Sequence, residues 1–195
     1  TSSFALLKDK HILLLFLGIV AVVGIDVGVN MESTKLLLER LGLDPNLKEN
    51  IDSVSYAPSV YFFCRTIGAF IGAALLAKMS AMKYFKIHII AALACMVPLF
   101  LVQDRLTILI FIGLLGYTCS SIFSVIFSMA MRLRPDKANE ISGLMITGIV
   151  GGAIVPPIMT SATSLFGGSQ NGALSVLCIV IAYLIFLSFK IKETK

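Results

Sequence analysis

The sequence predicts an all-α membrane protein with six transmembrane helices, folded as two inverted three-helix repeats. Hydrophobic residues make up 57% of the 195 and charged residues 14%, with a mean hydropathy of +0.94. A soluble domain of this size would expose large apolar patches to water, whereas lipid solvates them. Six stretches each supply the roughly 20 apolar residues needed to cross a hydrocarbon core about 30 Å thick. Their polar content runs in the same order twice: polar, polar, apolar. Two units of three, an odd number, must lie inverted relative to one another.

The predicted spans cover residues 12–38, 56–78, 86–102, 106–131, 141–164 and 172–190 of one domain, 1–195. Span 1 starts near His11, passes Met31 and continues to Leu38 as an amphipathic helix that is expected to protrude beyond the membrane, with Gly42, Pro45 and Asn46 ending it outside. A turn with Asp52, Ser53 and Ser55 leads into span 2. Span 3 begins near His88 and carries a lone kink at Pro98; Gln103, Asp104 and Arg105 form the hairpin to span 4. In span 5, Pro156 and Pro157 remove successive backbone donors and must break the helix. Gly167 to Asn171 make the hairpin to span 6. Connections this short make sequential spans antiparallel neighbours. Gly24 and Gly28, Gly68 and Gly72, and Gly148 and Gly152 stand four apart, the spacing that lets helix backbones approach closely. Together with Gly151, Pro156 and Pro157 they form the candidate packing or gating set, since glycines also soften helices that rock.

Basic residues alternate between the two sides. Lys8, Lys10, Lys78, Lys83, Lys86, Arg132, Arg134, Lys137, Lys190, Lys192 and Lys195 flank one set of span ends, and only Arg40, Lys48 and Arg105 flank the other. The positive-inside rule then puts both termini in the cytoplasm. The net charge of +5 reports this topology and not a nucleic-acid surface, because the basic residues are scattered through short loops. Cys64, Cys95, Cys119 and Cys178 all fall inside spans without CxxC spacing, and they read as small apolar residues, not metal ligands or disulfides. The chain opens Thr-Ser-Ser without an initiating Met, which suggests a processed chain or a fragment.

Two charges fall within the hydrocarbon, Asp26 in span 1 and Arg65 in span 2. Such charges cost several kcal/mol unless they pair or meet water, so the two are expected to form an ion pair where these spans touch. The pair either binds a polar substrate or takes a proton, or it is a salt bridge that fixes two helices. Asn30, one turn beyond Asp26, extends that polar face. On span 4, Tyr117, Ser121, Ser124 and Ser128 recur at steps of four, three and four, a continuous stripe suited to hydroxyl-rich ligands. Serines in membranes also simply bond back to their own helix. Thr147 adds a hydroxyl among the glycines of span 5. The candidate substrate-binding set is therefore Asp26, Asn30, Arg65, Tyr117, Ser121, Ser124 and Thr147. No catalytic residue, metal ligand or cofactor motif stands out: His11 and His88 lack partners at ligand spacing, and no nucleophile motif is present. Inverted repeats of this kind mark secondary transporters; an intramembrane enzyme and a structural or partner-binding membrane subunit are the alternatives.

From span 4 onward the chain resembles the major facilitator superfamily, and within it the fucose permease and glucose/galactose transporter family of sugar:proton symporters. The matching stretches are residues 120–128, SSIFSVIFS, and 142–157, SGLMITGIVGGAIVPP. Arg65-Thr66-Ile67-Gly68 also looks like the family's Gly-Arg-Phe-x-Gly, with Cys64 in place of the first Gly. Two departures matter. Span 4 lacks the family's usual Pro in the stretch 122–125, which predicts a less broken helix, and the superfamily's loop Asp is missing between spans 2 and 3. The resemblance implies the C-terminal half of a twelve-helix fold in a bacterial inner membrane, moving a small sugar with protons as coupling partner. It also implies a six-helix N-terminal half carrying its own acidic coupling residues.

Overall fold

The structure, a computed structural model, describes residues 2–191; Lys192 and Lys195 of the charge count lie outside them. Every regular element among the described residues is helical. Six helical stretches are long and apolar enough to cross a bilayer: Lys10–Arg40, Lys48–Leu76, Ala81–Leu99, Arg105–Leu133, Pro135–Leu165 and Asn171–Lys190. The chain is an integral membrane protein.

Eight helices build these spans. They are α1 (Lys10–Arg40), α2 (Ala57–Leu76), α3 (Ala81–Leu99), α4 (Arg105–Cys119), α5 (Ile122–Leu133), α6 (Ala138–Gly151), α7 (Val155–Leu165) and α8 (Asn171–Lys190). Span 4 is α4 with α5, and span 5 is α6 with α7. Starts are set by side chains that satisfy orphan backbone donors. Asp9 accepts from the His11 amide at 3.0 Å, and Ser80 accepts from Lys83 at 3.2 Å. Asp104 accepts from both the amide and the hydroxyl of Thr107, at 3.0 and 2.7 Å. Those two donors hold the Asp104 carboxyl below its usual range, so the cap is present at neutral pH and is lost as pH falls through that value.

Four sequence expectations are corrected. The Ser80 cap starts span 3 at Ala81 instead of near residue 86, so His88 lies buried two turns inside the helix. Its ring stacks on Tyr84 at 3.8 Å and bonds the Tyr84 carbonyl at 2.9 Å. The segment expected as a turn before span 2 is a short helix, Lys48–Val54. Short helical turns, Ser2–Ala5 and Leu6–Lys8, also precede α1. Span 4 is interrupted despite lacking a proline. Here the Thr118 and Ser120 hydroxyls take the Leu115 and Tyr117 carbonyls three residues back, at 2.9 and 2.7 Å, and the Ser120 amide also turns to Tyr117. Hydroxyl competition of this kind tightens and bends helices. In span 5 the break is a 3-10 turn over Gly152–Ile154, after which Pro156 and Pro157 fit the first turn of α7, where a missing donor costs least.

α1 is the centre of the bundle, packing on spans 2, 4, 5 and 6. Its partnership with span 5 mirrors that of span 4 with span 2, and the contact of span 3 with span 4 mirrors that of span 6 with span 1. This is the pairing pattern of two exchanged three-helix units. The symmetry is incomplete, since α8 packs extensively on α7 while α3 barely touches α2. Both close interfaces are lined with glycine. A Cβ on Gly152 would stand 2.6 Å from Val23 and 3.0 Å from the Gly24 nitrogen, and one on Gly24 would collide with Val155. Between spans 2 and 4, Gly68 faces Ser120 and the Tyr117 carbonyl, while Gly116 faces the backbone carbonyl of Tyr61. Spans 2 and 5 are the most exposed of the six.

The connections segregate to two ends. At the Arg40 end, Arg105 donates to the Ser53 carbonyl at 2.8 Å, and the Gln170 amide donates to Glu39 at 2.9 Å. At the opposite end, Ser2–Ala5 packs on α6, and Lys86 lies 5.2 Å over the Phe189 ring.

Candidate functional site

Asp26 is surrounded by donors from one face of α2. Its Oδ2 pairs with the Arg65 terminal nitrogen at 3.1 Å, and its Oδ1 accepts from Arg65 Nε at 3.2 Å and from the Tyr61 hydroxyl at 2.6 Å. Tyr61 and Arg65 are one turn apart, so both side chains leave α2 in the same direction. The guanidinium grips the carboxylate through two nitrogens, the arrangement that suits Arg to carboxylates.

This cluster is layered. Tyr61 is fully buried, while the Arg65 and Asp26 side chains keep 28% and 17% of their surface exposed. That exposure leaves part of the ion pair reachable from outside the bundle. The adjoining α1 surface carries exposed Val27 and Asn30. It is bounded on one side by α2 at Asp26 and on the other by span 5, where Gly24 meets Val155 and Gly28 meets Met159. The result is a half-polar strip between the two most exposed spans.

The remaining candidates are spread over other surfaces. Tyr117 tilts toward His88 at 5.7 Å between ring centroids. It also closes an apolar groove of about 420 Å³ between α2 and α4 that includes Val60, Cys64 and Ile67. Ser121 is buried against Gly72 and Tyr84. Ser124 and Ser128 border a separate cavity of about 530 Å³ with Ser80 and Arg132. The expected continuous stripe is therefore divided among three environments, because the break at Ser120 and Ser121 changes the phase of the helix. Thr147 is exposed on α6, and its hydroxyl donates back to the Gly143 carbonyl at 2.9 Å.

Two polar groups escaped the sequence reading. Tyr61 stands four residues before Arg65, and that spacing alone could have placed it beside Asp26. Glu32 is buried at 2% exposure near the end of α1, where only the folded path of the span 5 to span 6 loop supplies its neighbour. Removing the Tyr61 hydroxyl tests the first of these. Tyr61→Phe is expected to destabilise the purified protein by about 2 kcal/mol in equilibrium unfolding, the range for a hydrogen bond to a charged partner. A cost near zero would mean that Asp26 is held by Arg65 alone.

No family model matches the chain. It is similar to two curated proteins of Helicobacter pylori, each described as "Putative glucose/galactose transporter". The strain J99 protein is 26% identical over 195 residues, covering 97% of this chain and 46% of its own length. The strain 26695 protein is 25% identical over 198 residues, covering 100% and 46%. The chain thus spans about half the length of the curated relatives it matches.

Proposed function

We propose that this chain is the C-terminal six-helix half of a secondary active transporter of the major facilitator type, moving a small sugar across a bacterial inner membrane. The observation that carries the reading is the partly open Asp26, Tyr61 and Arg65 cluster, set beside Asn30 on a strip between the two most exposed spans. A sugar presents several hydroxyls, each both donor and acceptor. A carboxylate already held by Arg65 and Tyr61 offers unused acceptor capacity, and Asn30 offers both functions. Asp26, Asn30 and Arg65 are accordingly the core of the proposed site, with Thr147 at its span 5 margin. Tyr117, Ser121 and Ser124 act from behind, shaping the packing of span 2 against span 4.

The exposed faces of spans 2 and 5 suit a second six-helix unit, an N-terminal half of the same transporter, and the relatives' greater length supports that partner. Glycine-lined contacts between spans 1 and 5 and between spans 2 and 4 would let helices slide during alternating access, with the breaks at Ser120 and Gly152 as points of bending. Proton coupling belongs to this reading, as do cytoplasmic termini, which rest on the basic residues at the Lys137 end. Transport, not catalysis, is the role carried by the names of the relatives.

Uptake by the full-length protein in proteoliposomes tests this. Radiolabelled glucose or galactose is expected to accumulate when the outside is made acidic, and counterflow is expected without a gradient. Absence of both for every hexose tried would overturn the reading.

A further inference from the structure

Two carboxylates of α1, the partly open Asp26 and the buried Glu32, have opposite surroundings. Asp26 is matched to an arginine, a partner that suits only the ionised form. Glu32 is 2% exposed and has no cation within ion-pair distance among the described residues. Its neighbour is the Gln170 side chain, from the loop before α8. With the Gln170 amide nitrogen turned toward it, that nitrogen donates to both carboxylate oxygens, to Oε2 at 3.0 Å. With the amide turned the other way, its oxygen accepts from a protonated carboxyl. An amide therefore serves either charge state, which a guanidinium cannot do.

The rest of the Glu32 environment does not supply a counter-charge either. From the other elements it faces Met96 and Leu99 of α3, Ile112 and Leu115 of α4, and Leu174 and Leu177 of α8, all apolar. The charged groups nearby are on its own helix. Lys35 is exposed and lines an open cleft of about 480 Å³, while Glu39 and Arg40 pair with each other at 2.6 Å. Arg40 is further engaged by Asn171 and by the Leu99 carbonyl. Beside Glu32, the Ser33 hydroxyl is buried without a partner. Gln170 lines that same cleft, so it stands between Glu32 and the outside. It sits on a loop whose Gly167 and Gly168 adopt positive φ, +69° and +88°, a conformation open chiefly to glycine.

We propose that Glu32 is a proton-binding site that latches the Arg40 end of α1 to the loop before α8. With the latch closed, Gln170 covers Glu32, and a bound proton is the counter-charge that the surroundings omit. With it open, the loop swings away, water reaches Glu32 through the cleft, and the proton leaves to bulk water, so loss of the proton favours opening. By linkage, the closed state gains stability as the proton concentration on that side rises. The latch does not depend on what the protein carries.

Hydrogen exchange of the full-length protein, followed in peptides covering 166–172 and corrected for the intrinsic pH dependence of amide exchange, reads the latch directly. Over roughly pH 5 to 9, a window that spans the displaced values of buried carboxyls, protection of the loop is expected to fall with rising pH by up to about tenfold per unit. Glu32→Gln is expected to remove that slope and Glu32→Asp to displace it along the pH axis. Glu39→Gln, which weakens the contact with the Gln170 backbone, is expected to lower protection at every pH while keeping the slope. A flat wild-type profile, an unchanged slope in Glu32→Gln, or loss of the slope in Glu39→Gln each overturns the proposal. Should the Gln variant not fold, an undisplaced Glu32→Asp profile does the same.

Discussion

Arg65→Ala is expected to destabilise the protein by about 3 kcal/mol, the lower end of the range for stranding one partner of a buried pair, because both side chains keep some exposure. The cost falls on Asp26, which would be left with Tyr61 as its remaining donor. Asp26→Asn is expected to cost less. The new amide oxygen can still accept from Tyr61, and the released guanidinium, the more exposed partner, can turn to water. Combining Asp26→Asn with Arg65→Ala removes both charges, so its cost should fall below the sum of the single changes by roughly 1 to 3 kcal/mol, the coupling expected of contacting residues. Equilibrium unfolding of the four proteins in detergent supplies the cycle. Strict additivity would mean that the ion pair contributes no coupling.

The second large effect is expected at Gly116. Any side chain there meets the Tyr61 carbonyl oxygen and, at 3.1 and 3.2 Å, its carbonyl carbon and ring. The obstacle is mainly backbone, which cannot swing aside as a flexible side chain would, so α2 must move off α4. Gly116→Leu is expected to cost about 3 kcal/mol or more, the upper range for forcing extra volume into a packed interface. Because the displaced residue is Tyr61, the same substitution should also erase most of the additional penalty of Tyr61→Phe. Gly143→Ala is the control, since a Cβ there meets nothing within 4 Å and should be nearly neutral. A Gly116→Leu protein as stable as its parent would contradict the close approach of spans 2 and 4.

The spans were legible because lipid imposes a simple rule on sequence, long apolar runs punctuated by turns. Asp26 and Arg65 were legible for the same reason: in hydrocarbon a charge stands out and needs a partner. The start of span 3 was harder to read, since it depends on a single capping bond from Ser80 and not on hydropathy. The stripe on span 4 is divided in the structure because stepping by three and four residues holds only along an unbroken helix. The hydroxyls of Thr118 and Ser120 bond their own backbone where the helix breaks. Glu32 lay beyond reach for another reason. Its neighbour Gln170 is 138 residues away in sequence and arrives only through the path of a glycine loop.

The proposed function requires the strip from Asp26 to Asn30 to form part of a watery sugar path. Asn30→Cys, placed in a full-length background with Cys64, Cys95, Cys119 and Cys178 replaced, tests it most directly through reaction with a membrane-impermeant thiol reagent. A path predicts reaction from the aqueous phase, slowed about tenfold by a transported sugar at ten times its dissociation constant, because that occupancy leaves about a tenth of sites free. Reaction only with a lipid-soluble reagent, or a rate unchanged by a sugar that the same protein transports, would contradict it.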